Sequence, residues 1–305
     1  MNYFIFFGIS LLFYTLTFAE PITPIPLTNS GINTQKAKLG KKLFFDKILS
    51  KDDSTSCADC HKPSHSGADN LRASFGVYHN KTNLNTSTVY NSRYNFVQFF
   101  DGRAKNLEEA SKYCIESNTT MDSVSSDLIK KLNNSSYKKD FSRIYNDKIK
   151  QKYIDNAIAE YMKSLVTPNS AFDRYLRGDK SALSKSQKRG YSLFKLEGCI
   201  ICHNGINVGS NLFAKFGEAR EAPNSYLGKY NVSKASFDKY FLKVPTLRNI
   251  SKTAPYLHDG RFDNLSDVVK FMLKYQLDKS VSQKDVNDIV AFLKSLDGET
   301  PKNAK

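Results

Sequence analysis

Two short segments constrain this chain more than any other: Cys57-Ala-Asp-Cys60-His61 and Cys199-Ile-Ile-Cys202-His203. Both read C-x-x-C-H, the attachment signature of c-type haem. The spacing has a chemical reason. Two thiols, three residues apart, form thioethers to the two vinyl groups of one porphyrin. The adjacent histidine then sits under the iron and offers an imidazole nitrogen. Two other readings compete. A redox C-x-x-C needs a βαβ frame, which the pattern lacks. A four-cysteine zinc site would use both pairs but has no need of a histidine after each. The expected cofactors are therefore two covalently bound c-type haems. Cys57, Cys60, Cys199 and Cys202 attach them, and His61 and His203 are the proximal ligands.

The motifs sit inside an imperfect repeat. Leu39-Gly-Lys-Lys-Leu-Phe-Phe45 precedes the first and Arg189-Gly-Tyr-Ser-Leu-Phe194 the second. Downstream, Phe100-Asp-Gly-Arg-Ala-Lys-Asn-Leu107 is echoed by His258-Asp-Gly-Arg-Phe-Asp-Asn-Leu265, each followed by a helical pattern. Between the halves, Leu128 to Leu132 and Ile154, Ile158, Tyr161, Met162 and Leu165 recur at helical spacing. Thr167-Pro168-Asn169 breaks the pattern, and residues 177–184 read as the crossing between halves. Ser282 with Asp285 starts a last helix whose apolar face is Val286, Ile289, Val290, Leu293 and Leu296, with Gly298 as its stop. Strand patterns are sparse. The expected fold class is mainly α, with two tandem cytochrome-c-like haem domains at 20–166 and 167–300 and a tail at 301–305.

Residues 1–19 form the one long apolar run and end in small residues at Thr17 and Ala19. That fits a cleaved export signal, with an uncleaved anchor as the alternative. Either places the body in the periplasm, where c-type attachment occurs. The formal charge of +15 is spread along the chain without a compact basic block. This argues against a nucleic-acid site and favours encounter with acidic partners.

A six-coordinate haem needs a second axial ligand. Met272 lies on the helix after the second D-G-R turn, where a thioether would raise that haem's potential. The competing reading is a core methionine on an amphipathic helix; Met121 and Met162 are the other methionines after residue 19. His79, eighteen residues after His61, is a ligand candidate or an exposed loop histidine. His65 is too close to His61 to reach the opposite face. His258, beside Asp259-Gly260, reads as a hydrogen-bonding residue.

The set of motifs resembles the bacterial di-haem cytochrome c peroxidases, which are related to the tryptophan-oxidising di-haem enzymes. The resemblance runs from about residue 27 to 300 and includes Thr167-Pro-Asn-Ser-Ala-Phe-Asp173 and Ala254-Pro-Tyr-Leu-His-Asp-Gly260. It implies an enzyme reducing hydrogen peroxide to water with electrons from a small cytochrome c. The haem held by His203 and Met272 would accept those electrons. The haem held by His61 would meet peroxide, capped at rest by His79. The resemblance further implies a calcium ion between the domains, bound by the Asn85 side chain and the carbonyls of Thr253 and Pro255, and a homodimer. The tryptophan-oxidising relatives carry a Tyr where Met272 stands, which separates this chain from them.

The departures are as informative. The family's pocket Gln and Glu align with Ala110 and Thr120, and its inter-haem Trp with Phe100 in a chain that has no Trp. The family's distal Pro aligns with Cys114. Within this chain's own repeat, Cys114 stands thirteen residues after Asp101, as Met272 stands thirteen after Asp259. Cys114 is thus either a small buried residue or a group near the first iron. Glu116 is a possible displaced acid, although it points to a different helix face. Two functions remain open: the peroxidase, and a non-peroxidatic di-haem electron-transfer or redox-sensing protein.

Overall fold

The helix that leads into each C-x-x-C-H segment crosses a later helix of the same half at a glycine. In the computed structural model, which describes residues 20–304, these are the first and eighth of eleven α-helices. In order they are α1 (Thr34–Phe45), α2 (Cys57–Cys60), α3 (Leu107–Glu116), α4 (Ser125–Asn133), α5 (Tyr137–Tyr145) and α6 (Gln151–Ser164). Then come α7 (Ala171–Leu176), α8 (Lys185–Leu196), α9 (Tyr230–Ser233), α10 (Leu265–Leu277) and α11 (Gln283–Lys294). A β-carbon on Gly40 of α1 would lie 1.8 Å from the Ala157 carbonyl oxygen of α6. One on Gly190 of α8 would lie 1.8 Å from the Asp288 carbonyl oxygen of α11. The repeat seen in sequence is therefore a repeated helix crossing, and each glycine is required by close backbone approach. Gly190→Ala is expected to push α8 off α11 and destabilise by about 1–3 kcal/mol, the range for overpacking. The denaturation midpoint measures this, and an unchanged midpoint would mean the crossing tolerates a methyl group.

Two apolar cores follow from these crossings. The first gathers Leu39, Leu43 and Phe44 of α1, Ile115 of α3, Leu128 and Leu132 of α4, Phe141 of α5 and Ile154, Ile158 and Tyr161 of α6. The second gathers Phe172 of α7, Tyr191 and Phe194 of α8, Val269 and Leu273 of α10, and Val286, Ile289, Phe292 and Leu293 of α11. Helix starts are set by side-chain caps. Asn106 accepts from Glu109 N, Asn264 from Asp267 N and Ser282 from Asp285 N, each satisfying a backbone donor the helix leaves open. Strand is confined, among the described residues, to a two-stranded antiparallel sheet of β1 (Phe213–Lys215) and β2 (Phe241–Lys243) with Phe213 opposite Lys243.

The passage between cores falls at residues 165–170. It precedes the 177–184 stretch, because Phe172 already belongs to the second core. Thr167 ties the seam: its hydroxyl accepts from Asn91 Nδ2 at 2.7 Å and Asn249 Nδ2 at 2.8 Å. Both ends of the described segment, 20–304, cross over. At the N-terminal end, Ile22 is buried in the second core, Gly205 N donates to the Pro21 carbonyl at 2.7 Å and Ile25 N donates to Asp173. The wholly buried Arg248 pairs with Asp173 at 2.7 Å and donates to the Thr23 carbonyl at 3.0 Å. At the C-terminal end, Ala304 is buried in the first core. The expected leader lies outside the described residues, and among those described no helix is long and apolar enough to cross a membrane.

Candidate haem-binding sites

In the second half, α8 ends at Leu196, and Gly198, with a φ of +98°, turns the chain into a 3₁₀ turn at Cys199–Ile201. His203 N then donates to the Cys199 carbonyl at 3.0 Å. This folds the C-x-x-C-H segment back on itself and delivers both thiols and the imidazole to one cleft. Met272, from α10, lines the same cleft, and so do Phe100, Phe216, Leu242 and Leu257. The cleft encloses about 1260 Å³, solvent-open space included. Burial holds the His203 imidazole down to about 4, with the carbonyls of Val208 and Pro245 pulling the other way. The ring is therefore neutral at pH 7, the form that ligates iron. Its Nδ1 is buried without a hydrogen-bond partner. A neutral imidazole and a thioether on apolar walls fit a haem iron, and the two thiols fit the vinyl groups of its porphyrin.

In the first half, α2 is the C-A-D-C segment itself, started by Ser56, whose N–H donates to Asp59 Oδ2 at 2.8 Å. His61 N donates to the Cys57 carbonyl at 2.9 Å, the same fold-back as at His203. His61 Nδ1 lies 3.4 Å from the Gly67 carbonyl, which orients the ring and leaves Nε2 for a metal. Burial lowers the His61 pKa, partly offset by the Gly67 carbonyl and by Asp69.

Cys114 lies close enough to the two thiols of this half to act on them electrostatically. Burial raises the Cys57 and Cys60 thiols, the latter to about 11, and a Cys114 thiolate would raise both further. Burial also raises Cys114, and the Arg103 guanidinium offsets part of it. The repeat places it further. Arg103 pairs with Asp101 at 2.9 Å as Arg261 pairs with Asp259. Asn106 and Asn264 cap α3 and α10, and Cys114 and Met272 are each the eighth residue of their helix. Sequence register and helix position therefore agree.

The other candidates separate. His79 is exposed, at the end of a 3₁₀ turn where Tyr78 and His79 both have φ of +56°. Its loop docks on the segment after α3: Val77 N donates to the Thr120 carbonyl at 2.8 Å. The Thr120 hydroxyl donates to the Cys114 carbonyl. Ala110 is half-buried and carries no polar group. Glu116 is exposed, 3.9 Å from Lys112. Met121 and Met162 are buried in the first core, and His65 is exposed beside Ser64. His258 is buried and hydrogen-bonds through Nε2 to Asn224 at 2.9 Å, as its reading as a hydrogen-bonding residue implies. The Phe100 ring lies 6.2 Å from that of His258, so it bridges the first D-G-R turn and the second cleft. Asn85, Thr253 and Pro255 line the same cleft. Asn85 Nδ2 donates to the Leu71 carbonyl at 2.7 Å, leaving its oxygen as the atom a hard cation takes.

Sequence reasoning missed two residues. Asp69 is buried and acts electrostatically on both Cys60 and His61, and nothing in its local pattern marks it. Lys243 is buried in the wall of the second cleft. A lysine inside the apolar run Phe241-Leu-Lys-Val244 was the available signal.

A family model described as di-haem cytochrome c peroxidase matches residues 34–181. The chain is 42% identical over 286 residues to the cytochrome c peroxidase Ccp of Escherichia coli (strain K12), covering 92% of this chain and 61% of that protein. It thus spans less than two thirds of that relative's length. It is 40% identical to the cytochrome c551 peroxidase of Nitrosomonas europaea, covering 92% of this chain and 85% of that one. Among solved structures, a MauG-like protein associated with microbial copper homeostasis matches with a TM-score of 0.77 at 22% identity, covering 94% of this chain and 95% of that one. At that identity the likeness concerns the fold.

Proposed function

The chain belongs to the di-haem cytochrome c peroxidase family, and from that premise we propose that it reduces hydrogen peroxide to water with electrons from a small c-type cytochrome. The observation that carries this is the gathering of Cys199, Cys202, His203 and Met272 on one cleft. On this reading 20–166 and 167–300 are two cytochrome-c-like domains that exchange their terminal segments. Cys57, Cys60, Cys199 and Cys202 would hold the two haems through thioethers to their vinyl groups. Bound haem supplies one-electron iron chemistry at each site. His203 and Met272 hold the electron-accepting iron, and His61 the peroxide-facing one. Phe100 fills the path between them with an apolar ring. Cys114 and His79 are the two candidates for a second ligand to the first iron; Cys114 would act from beside the Cys57 and Cys60 thiols, whereas His79 is exposed. Asn85, with the Thr253 and Pro255 carbonyls, holds a calcium ion at the seam. The protein acts in the periplasm after export.

A specific observation favours the second reading, a di-haem protein that transfers or senses electrons without turnover. The three α3-region positions that an acid would occupy offer none. Ala110 has no proton, the Thr120 hydroxyl is engaged by the Cys114 carbonyl, and Glu116 faces solvent. General acid–base catalysis contributes on the order of 10²–10⁴-fold, so its loss is a large deficit. Steady-state turnover of the fully loaded protein separates the readings. The donor is a reduced small cytochrome c, with calcium present. We expect two haems per chain and peroxide-dependent donor oxidation above that of free haem. Two haems with no turnover above that level would replace the peroxidase by the electron-transfer protein.

A further inference from the structure

Lys243 is a charged residue in a place that should not hold one. It is 6% exposed, at the end of β2, in the wall of the cleft formed by Cys199, Cys202, His203 and Met272. Among the described residues, no carboxylate lines that cleft, and the Lys243 ammonium has no ion pair and no hydrogen bond. Burying an ammonium without an anion costs several kcal/mol. The group is either discharged or paired with something the polypeptide does not supply. Proposing the partner rests on the haem reading given above. A c-type haem carries two propionate groups, and a cleft with cationic side chains and no acidic ones is complementary to them.

We propose that Lys243 is the carboxylate-binding residue of the second cleft, pairing with a propionate of the haem attached through Cys199 and Cys202. Burial pulls the Lys243 ammonium down to about 8, and a carboxylate beside it would raise it again. Its backbone adds a positional consequence. Lys243 N donates to the Phe100 carbonyl at 2.7 Å, and Phe100 leads into the Asp101-Gly102-Arg103 turn of the first site. A propionate gripped by Lys243 is thereby registered against the first half. Lys243 is a positioning residue: it sets where the second haem sits relative to the seam, and its charge favours the reduced, less positive iron.

The test uses the full holoprotein with Lys243→Met, Lys243→Gln and Lys243→Arg. Haem content is counted first. Fewer than two haems in the unsubstituted chain would reject the haem reading itself, a different failure from that of the proposal. With two haems present, Met and Gln are expected to lower the midpoint potential of the Met272 haem and the melting temperature, because a buried carboxylate loses its partner. Arg is expected to restore both. Adding inorganic phosphate or acetate to the unsubstituted protein should leave the potential unchanged. A shift there would assign the site to a diffusible anion and overturn the propionate pairing. An unchanged potential with an unchanged or raised melting temperature in both Met and Gln variants would also overturn it, since removal of an unpaired buried ammonium should stabilise. If the Met variant fails to load haem, the Gln and Arg pair decides by the same readings.

Discussion

Met272→Ala in the holoprotein is expected to lower the midpoint potential of the second haem and to cut cytochrome-driven peroxide turnover at least about tenfold, ~1.4 kcal/mol in barrier. The thioether is a soft ligand that favours ferrous iron, and axial-ligand identity is the largest lever a protein has on haem potential. With the sulfur gone, a donor cytochrome faces a haem that is harder to reduce, and the electron path is throttled at its first step. Met272 is half-buried in the cleft wall, so its truncation also removes packing. The melting temperature must be read alongside to keep the two effects apart. A variant with the parent's potential and visible spectrum would show that Met272 is a core methionine after all.

Thr120→Glu is expected to raise peroxide turnover on the order of 10²-fold, the lower end of what a positioned general acid contributes. Thr120 lies just past α3, bound through its carbonyl by the loop that carries His79. Its hydroxyl is occupied by the Cys114 carbonyl. Thr120→Ala is the control, because it loses that hydrogen bond without gaining an acid. The Glu variant should also acquire a pH-dependent limb in kcat that the Ala variant lacks. Equal turnover in the Glu and Ala variants, with both haems intact, would mean that a missing carboxylate is not what limits the site. That result would strengthen the electron-transfer reading.

Much of the architecture is local and was therefore legible. The caps at Asn106, Asn264 and Ser282, the helical spacing through Ile154 and Tyr161, and the stop at Thr167-Pro168 are all decided within a few residues. The repeat around the D-G-R turns was equally readable, since the same short pattern makes the same turn and starts the same helix. It pointed to the correspondence of Cys114 with Met272, which the equal helix positions now support. The passage between cores lies ahead of the 177–184 stretch. Polar, glycine-containing composition marks a surface connection there, but it does not say which core the short helix before it joins. Phe172 decided that by packing against Tyr191 and Phe292.

Sequence by itself located the two C-x-x-C-H segments, the class of the fold and the doubling of its helix crossing, because each is written in contiguous residues with short-range physics. Only the tertiary structure decided the rest. It sends Ile22 into the second core and Ala304 into the first, sets Gly40 and Gly190 against carbonyls 117 and 98 positions further on, and leaves Lys243 in a cleft that no carboxylate lines among the described residues. Such facts depend on burial and on which distant backbone comes close. Residue type and spacing along the chain do not encode either one.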